Sequence, residues 1–356
     1  TENQGLNEPV DVLNAGNSAT TMRLLAGLLV SQPFSSVMTG DESLRSRPMD
    51  RIIIPLRLMG ATISGRKGGG FPPLAFSRSN LKDLEYSMPV ASAQIKSSLL
   101  IAGLSAQKKT IVHQPAFSRD HTERMLKAMG ANLEVDGLAL TIFPGRISPM
   151  DVAVPGDISS AAFWLVAGVC HPDASFKLRK VGVNPTRLGI VEVLRNMGGK
   201  VTLENQRIEG GEPVADVLVA SSNLQSVEVT GNQIPLIIDE LPILAVAACF
   251  AEGDTVISGA QELRVKEIDR INVTVRELCR LGANIEEMPD GMVIRGTGSL
   301  KGGICQSNGD HRMAMSLGVA GLLADEEVCI EGAEAAAVSY PKFWKEIESL
   351  SLMEKE

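Results

Sequence analysis

At 356 residues, 44% apolar and 21% charged, the chain is long enough for two ordinary domains and is globular rather than disordered. A net charge of -8 argues against a nucleic-acid surface, and no apolar run reaches the ~18 residues of a membrane span. Five cysteines (Cys170, Cys249, Cys279, Cys305, Cys329) without a CxxC pair, and four scattered histidines, predict buried thiols in a reducing, cytoplasmic setting and no disulfide framework or metal cluster.

The first residues, TENQGLNEPVDV, have no basic region and no apolar centre, so they do not read as a signal peptide. From there two kinds of helix alternate. The first inner helix is predicted in "RLLAGLLVSQPFSSVMTG", small and apolar nearly all round, which places it inside a domain. An amphipathic outer helix stopped by Gly60, "LRLMGATI", then leads into a strand of alternating polarity. The pair recurs as "LLIAGLSAQKKTIVHQP" and "MLKAMGANLEV", as "WLVAGVCHPDASFKL" and "VLRNMGGKVTL", and as "ILAVAACFAEGDTVISG" and "LCRLGANIEEM"; a last inner helix is "LGVAGLLADEEVCIEG". The stopping glycines Gly60, Gly130, Gly198 and Gly282 are 70, 68 and 84 residues apart, so the chain reads as about five copies of a ~70-residue αβ module. The proline-punctuated "GRISPMDVAVPGD" is the best boundary, giving a first domain over 1–153 and a second over 154–356.

Runs of hydroxyls, amides, carboxylates or arginine precede the inner helices: Asn17 to Thr21, Ser92-Ala93-Gln94, Asp157 to Ser160, Asp239-Glu240 and Asp310-His311-Arg312. A single cap would suffice for a buried helix. Helix N-termini favour anions, and parallel inner helices would add their fields at one patch. Arg23, Arg45, Arg47, Arg119, Arg270 and Arg312 stand near these junctions, and arginine is suited to forked recognition of carboxylate or phosphate. Asp239 reads either as a helix cap or as a carboxylate poised at a core edge. The stretch "RVKEIDR", read as a helix, would pair Glu267 with Arg270 but set Lys266 and Arg270 on one face, where they repel unless an anion lies between them. It is either a solvated charged face or an anion site. Glu267 and Asp239, differently surrounded, could divide acid and base duties, with His311 a further candidate.

Six motifs in order, "NAGNSATTMR", "DESLRSRPM", "ASAQIKSS", "FSRDHTERML", "ELRVKEIDR" and "GDHRMAMS", resemble the 5-enolpyruvylshikimate-3-phosphate synthase family, with wording most similar to its glyphosate-tolerant bacterial group. The resemblance implies an inside-out α/β barrel in two halves, each of three βαβαββ modules whose inner helices point at an interdomain active-site cleft. It implies transfer of the enolpyruvyl group of phosphoenolpyruvate to the 5-hydroxyl of shikimate 3-phosphate, without cofactor or metal. By position, Arg47, Arg270 and Arg312 would grip phosphoenolpyruvate, helped by Gln94, by Asn17, Ala19 and Thr20, and by Glu267. Ser92, Ala93, Gln94, Arg119, Asp239 and Lys266 would hold shikimate 3-phosphate, with Asp239 the base for the hydroxyl and Glu267 the acid toward the methylene carbon. Ala19, where many relatives have glycine, would crowd the phosphoenolpyruvate pocket and weaken inhibition by glyphosate. The family's first module, with its PGDKSxSHR-like motif, has no counterpart here, so about five of six modules are expected. On that expectation the chain alone is inactive, and the complete protein is a monomer or pairs with a separate N-terminal fragment. The sister enzyme acting on UDP-N-acetylglucosamine is the alternative; it usually has a cysteine before the arginine of "RPMD", and "TGDESLRSRP" has none.

Overall fold

The computed structural model describes residues 5–352, and its chain keeps retracing one βαβαββ path. Two compact units result, Thr1–Val152 and Ala153–Glu356. In the first, β1 (Leu13–Asn14), α1 (Ala19–Leu29), β2 (Ser36–Thr39), α2 (Glu42–Ser46), α3 (Asp50–Leu58), β3 (Thr62–Arg66) and β4 (Phe71–Ser77) form one pass. The second pass is β5 (Leu84–Ser87), α4 (Ala93–Gly103), β6 (Thr110–His113), α5 (His121–Ala128), β7 (Leu133–Asp136) and β8 (Ala139–Ile142). The sheets are ordered β1-β2-β4-β3 and β5-β6-β8-β7, each a parallel pair crossed over by the inner helix and finished by an antiparallel hairpin.

The second unit opens with α6 (Ile158–Cys170), β9 (Ser175–Gly182), α7 (Gly189–Asn196), β10 (Lys200–Glu209) and β11 (Glu212–Ala220), in sheet order β10-β11-β9. A lone parallel bridge from Gly156 to Val181 stands where the first strand of the other copies would be. Then β12 (Glu228–Val229), α8 (Ile234–Ile237), α9 (Leu241–Cys249), β13 (Asp254–Ile257), α10 (Arg270–Arg280), β14 (Asn284–Met288) and β15 (Gly291–Arg295) repeat the full order, β12-β13-β15-β14. The last stretch is β16 (Gly303–Gln306), α11 (His311–Leu322), β17 (Val328–Glu331) and α12 (Phe343–Leu352), with β16 and β17 parallel.

The outer helices α3, α5, α7 and α10 end at Gly60, Gly130, Gly198 and Gly282, whose φ values of 91°, 84°, 89° and 83° lie where a side chain would be strained. The inner helices supply the cores. Every residue of α9 is buried. In the first unit α1 and α4 pack at backbone distance, because a Cβ on Gly27 would sit 2.1 Å from the Ser98 carbonyl oxygen. In the second, Phe343 of α12 is fully buried, its ring 5.0–5.9 Å from those of Phe163, Trp164, Tyr340 and Trp344.

Two readings are corrected. Lys266 and Glu267 are not helical: a short 3₁₀ turn spans Gln261–Val265, Lys266 is extended, and α10 starts only at Arg270, capped by Asp269. The i,i+3 and i,i+4 charge spacing imitated a helix that the Asp269 cap postpones. Of the five thiols, Cys249 and Cys305 are buried and Cys170 partly so, but Cys279 and Cys329 are exposed, since α10 and β17 turn those positions outward. Among the described residues no helix is long and apolar enough to cross a membrane.

Candidate active site

Two clusters collect the sequence-predicted residues, one in each unit. In the first, Ser18 caps α1 by accepting from the Thr21 N–H, which leaves Asn17 just outside the helix and Ala19, 8% exposed, as its first residue. Arg47, at the end of α2, donates to Asn17 Oδ1 at 3.2 Å, and the Asn17 amide donates to Asp41 Oδ2 at 2.7 Å. The Leu44 N–H, then that Asn17 amide, hold the Asp41 carboxyl below its usual range. On α4, Ser92 is the cap, Ala93 the first residue and Gln94 the bridge between helices: its amide donates to Thr20 Oγ1 at 2.9 Å.

Gln94 is oriented by an arginine to which the motifs assigned no role. Arg23, buried on α1, donates to Gln94 Oε1 at 2.5 Å and to the Pro48 carbonyl at 3.1 Å. Burial, then the nearby Arg51 and Arg47, lower its pKa to about 10, so it stays a cation at neutral pH. Accepting from Arg23 with its oxygen forces Gln94 to present its NH2 to Thr20 and the surface. Arg119 lies half-buried in the turn before α5.

In the second unit charges meet directly. Asp239 is not a helix cap; α9 begins after Glu240 with no side-chain cap, and the Asp239 carboxylate faces cations instead. Its Oδ1 is 3.6 Å from Lys266 Nζ and 3.7 Å from Arg270 Nη1, and its Oδ2 is 3.9 Å from Arg312 Nη2. The anion missing between Lys266 and Arg270 in the helical reading is therefore Asp239. Arg270 is almost completely buried, its Nε donating to Asp310 Oδ2 at 2.9 Å and its Nη2 to Glu267 Oε2 at 2.7 Å. Asp310 also caps α11, accepting from the backbone of Arg312 at 2.8 Å and of Met313 at 3.0 Å. One buried carboxylate thus fixes the Arg270 side chain and the helix start that carries Arg312. The Arg312 side chain donates to the Asp239 carbonyl at 3.0 Å.

Behind this layer, Glu240 is buried, accepts from Ser159 Oγ and lies 3.8 Å from Arg312 Nη1. Burial raises its pKa, against the opposing pull of Arg312 and Ser159. Arg187 donates to Ser159 Oγ at 2.6 Å and to Asp157 at 3.0 Å, tying the start of α6 into the same cluster. Glu240, Ser159 and Asp310 were legible only as helix-start residues, Arg187 was not singled out, and no spacing rule linked them. His311 is half-buried; burial, then Arg312, lower its pKa, so it is neutral at pH 7 and a poor candidate for a standing cation.

The arrangement offers anion-binding donors in the first unit, and in the second two carboxylates, Asp239 and Glu267, that share one buried guanidinium. The sequence profile of the EPSP synthase (3-phosphoshikimate 1-carboxyvinyltransferase) family matches residues 1–347. The chain belongs to that family. Among curated EPSP synthase relatives, the 3-phosphoshikimate 1-carboxyvinyltransferase of Syntrophomonas wolfei is 52% identical over 98% of this chain and 82% of its own length. That of Gloeothece citriformis is 56% identical over 97% of this chain and 78% of its own. The crystal structure of EPSP synthase from Acinetobacter baumannii, 45% identical, superposes with a TM-score of 0.90 over 97% of this chain and 80% of that one. The enolpyruvyl transferase NikO from Streptomyces tendae shares the fold at a TM-score of 0.72, covering 92% of this chain and 75% of that one, with 19% identity.

Proposed function

We propose that this member of the EPSP synthase family transfers the enolpyruvyl group of phosphoenolpyruvate to the 5-hydroxyl of shikimate 3-phosphate, releasing phosphate. Relatives 50–56% identical carry the name of this activity, which supports it over transfer to UDP-N-acetylglucosamine. The observation that carries the mechanism is the Asp239 carboxylate among Lys266, Arg270 and Arg312, with Glu267 on the opposite side of the same Arg270 fork.

In this reading Asp239 takes the proton of the 5-hydroxyl as its oxygen attacks C2 of phosphoenolpyruvate, and Glu267 protonates the methylene carbon. A tetrahedral intermediate forms. Loss of a proton from the new methyl group and departure of phosphate regenerate the double bond, with Arg47, Arg270 and Arg312 stabilising the charge that develops on the phosphate and carboxylate. Ser92, Ala93, Gln94, Arg119 and Lys266 hold shikimate 3-phosphate; Asn17, Ala19, Thr20 and Gln94 line the phosphoenolpyruvate side. Lys266, Arg270 and Arg312 hold the Asp239 carboxylate in position to act as that base. Phosphate release from the two substrates tests the activity, and its absence from the full-length protein would remove the proposal.

One finer reading rests on it. The methyl of Ala19, buried at the first turn of α1, narrows the phosphoenolpyruvate side and weakens glyphosate inhibition. An Ala19→Gly enzyme whose inhibition by glyphosate is unchanged would sink that reading.

A further inference from the structure

Helix α4 carries a lysine for which the proposed reaction has no use. Among the described residues Lys96 is the one buried lysine, 1% exposed, and it is the second residue after Gln94. Its Nζ is 2.5 Å from Glu123 Oε1, 3.3 Å from the Ser118 carbonyl and 3.5 Å from Gln114 Oε1. Gln114 in turn accepts from Ser118 Oγ at 3.0 Å. The next residue of α4, Ser97, meets Thr122 Oγ1 at 2.6 Å. Every one of these contacts falls on the segment 114–123, on both sides of Arg119.

Stability alone is a poor explanation for this pair. Burying an ammonium and a carboxylate costs several kcal/mol in desolvation, and an apolar pair of similar volume usually does as well or better. What the pair does uniquely is fix position. Lys96 holds the carbonyl of Ser118, the residue just before Arg119, while Glu123 and Thr122 fix the first turn of α5 just after it. All are fastened to the helix whose N-terminus presents Ser92, Ala93 and Gln94.

We propose that Lys96, through Glu123 and Ser118, is a positioning residue that sets the spacing between Arg119 and the N-terminus of α4, and so shapes the seat for the phosphate of shikimate 3-phosphate. Lys96 itself is turned into the protein and neutralised by Glu123, so it does not touch the ligand. This inference rests on the assignment of Ser92 and Arg119 to that phosphate.

The test is Lys96→Met in the full-length protein, with steady-state kinetics for both substrates and calorimetric binding of shikimate 3-phosphate. Misplacing a binding group by about 1 Å costs up to ~100-fold, so KM and Kd for shikimate 3-phosphate should rise about tenfold or more while KM for phosphoenolpyruvate holds. On an Arg119→Ala background the same substitution should add nothing, since the group it positions is gone. Equal rises for both substrates, or a full additional penalty on Arg119→Ala, would overturn the proposal and leave Lys96 a fold residue. Should Lys96→Met fail to fold, the isosteric Glu123→Gln carries the same comparison with a smaller rise. A wild-type protein that binds shikimate 3-phosphate without turnover removes the proposed activity and leaves this test intact on affinity; one that does not bind it overturns both.

Discussion

The clusters of the two units use the same residue types to different ends. In the first, Arg47 donates to Asn17 and Arg23 to Gln94 and the Pro48 carbonyl, while Asp41 accepts from Asn17 and from the Leu44 N–H. In the second, Arg270 touches Asp310 and Glu267 and approaches Asp239. Arg23 orients an amide, whereas Arg270 orients carboxylates. The first arrangement suits binding, the second proton transfer.

The sharpest way to break that contrast is to remove the acids. Asp239→Asn or Glu267→Gln is expected to lower kcat by about 10²–10⁴ while leaving shikimate 3-phosphate binding within severalfold, checked by turnover and calorimetry. Next in size is Arg270→Met. It leaves Asp310 buried and uncompensated and should cost ~3–5 kcal/mol of stability, read as a lowered denaturation midpoint, together with lost turnover. In the first unit, Gln94→Ala should raise KM for phosphoenolpyruvate about tenfold, one charge-assisted contact's worth, with kcat changed far less. If kcat falls instead and KM holds, the division between binding and proton transfer is wrong.

The smallest effect concerns pH. Because the folded pKa of His311 lies below its ordinary 6.5, the unfolded chain takes up a proton that the folded one refuses as pH falls through that window. Stability therefore declines with acidification from neutrality. His311→Asn should flatten that part of the stability curve without altering turnover at pH 7.

Much of this was legible in the sequence, for identifiable reasons. The outer helices were readable because a 3.6-residue apolar period running into Gly60, Gly130, Gly198 or Gly282 has few other meanings. The inner helices were readable because a run such as "ILAVAACF" has no polar face to offer water. Lys266 and Glu267 were misread because charge spacing alone does not reveal where Asp269 starts a helix. Lys96 was not singled out, and Arg23 was read only as one of the arginines beside a helix start. Their partners Glu123 and Gln94 are 27 and 71 residues away, and only the packing of α4 against its neighbours brings them together.

The contact between Gly27 and Ser98 has an effect well beyond the core. The first turns of the same two helices carry Thr20 and Gln94, which are hydrogen-bonded across the pair. A methyl inserted at position 27 acts as a wedge between rods, and the rods splay at their tips. On the proposed assignment of Thr20 and Gln94 to phosphoenolpyruvate, a buried residue thereby sets how wide the ligand's doorway stands.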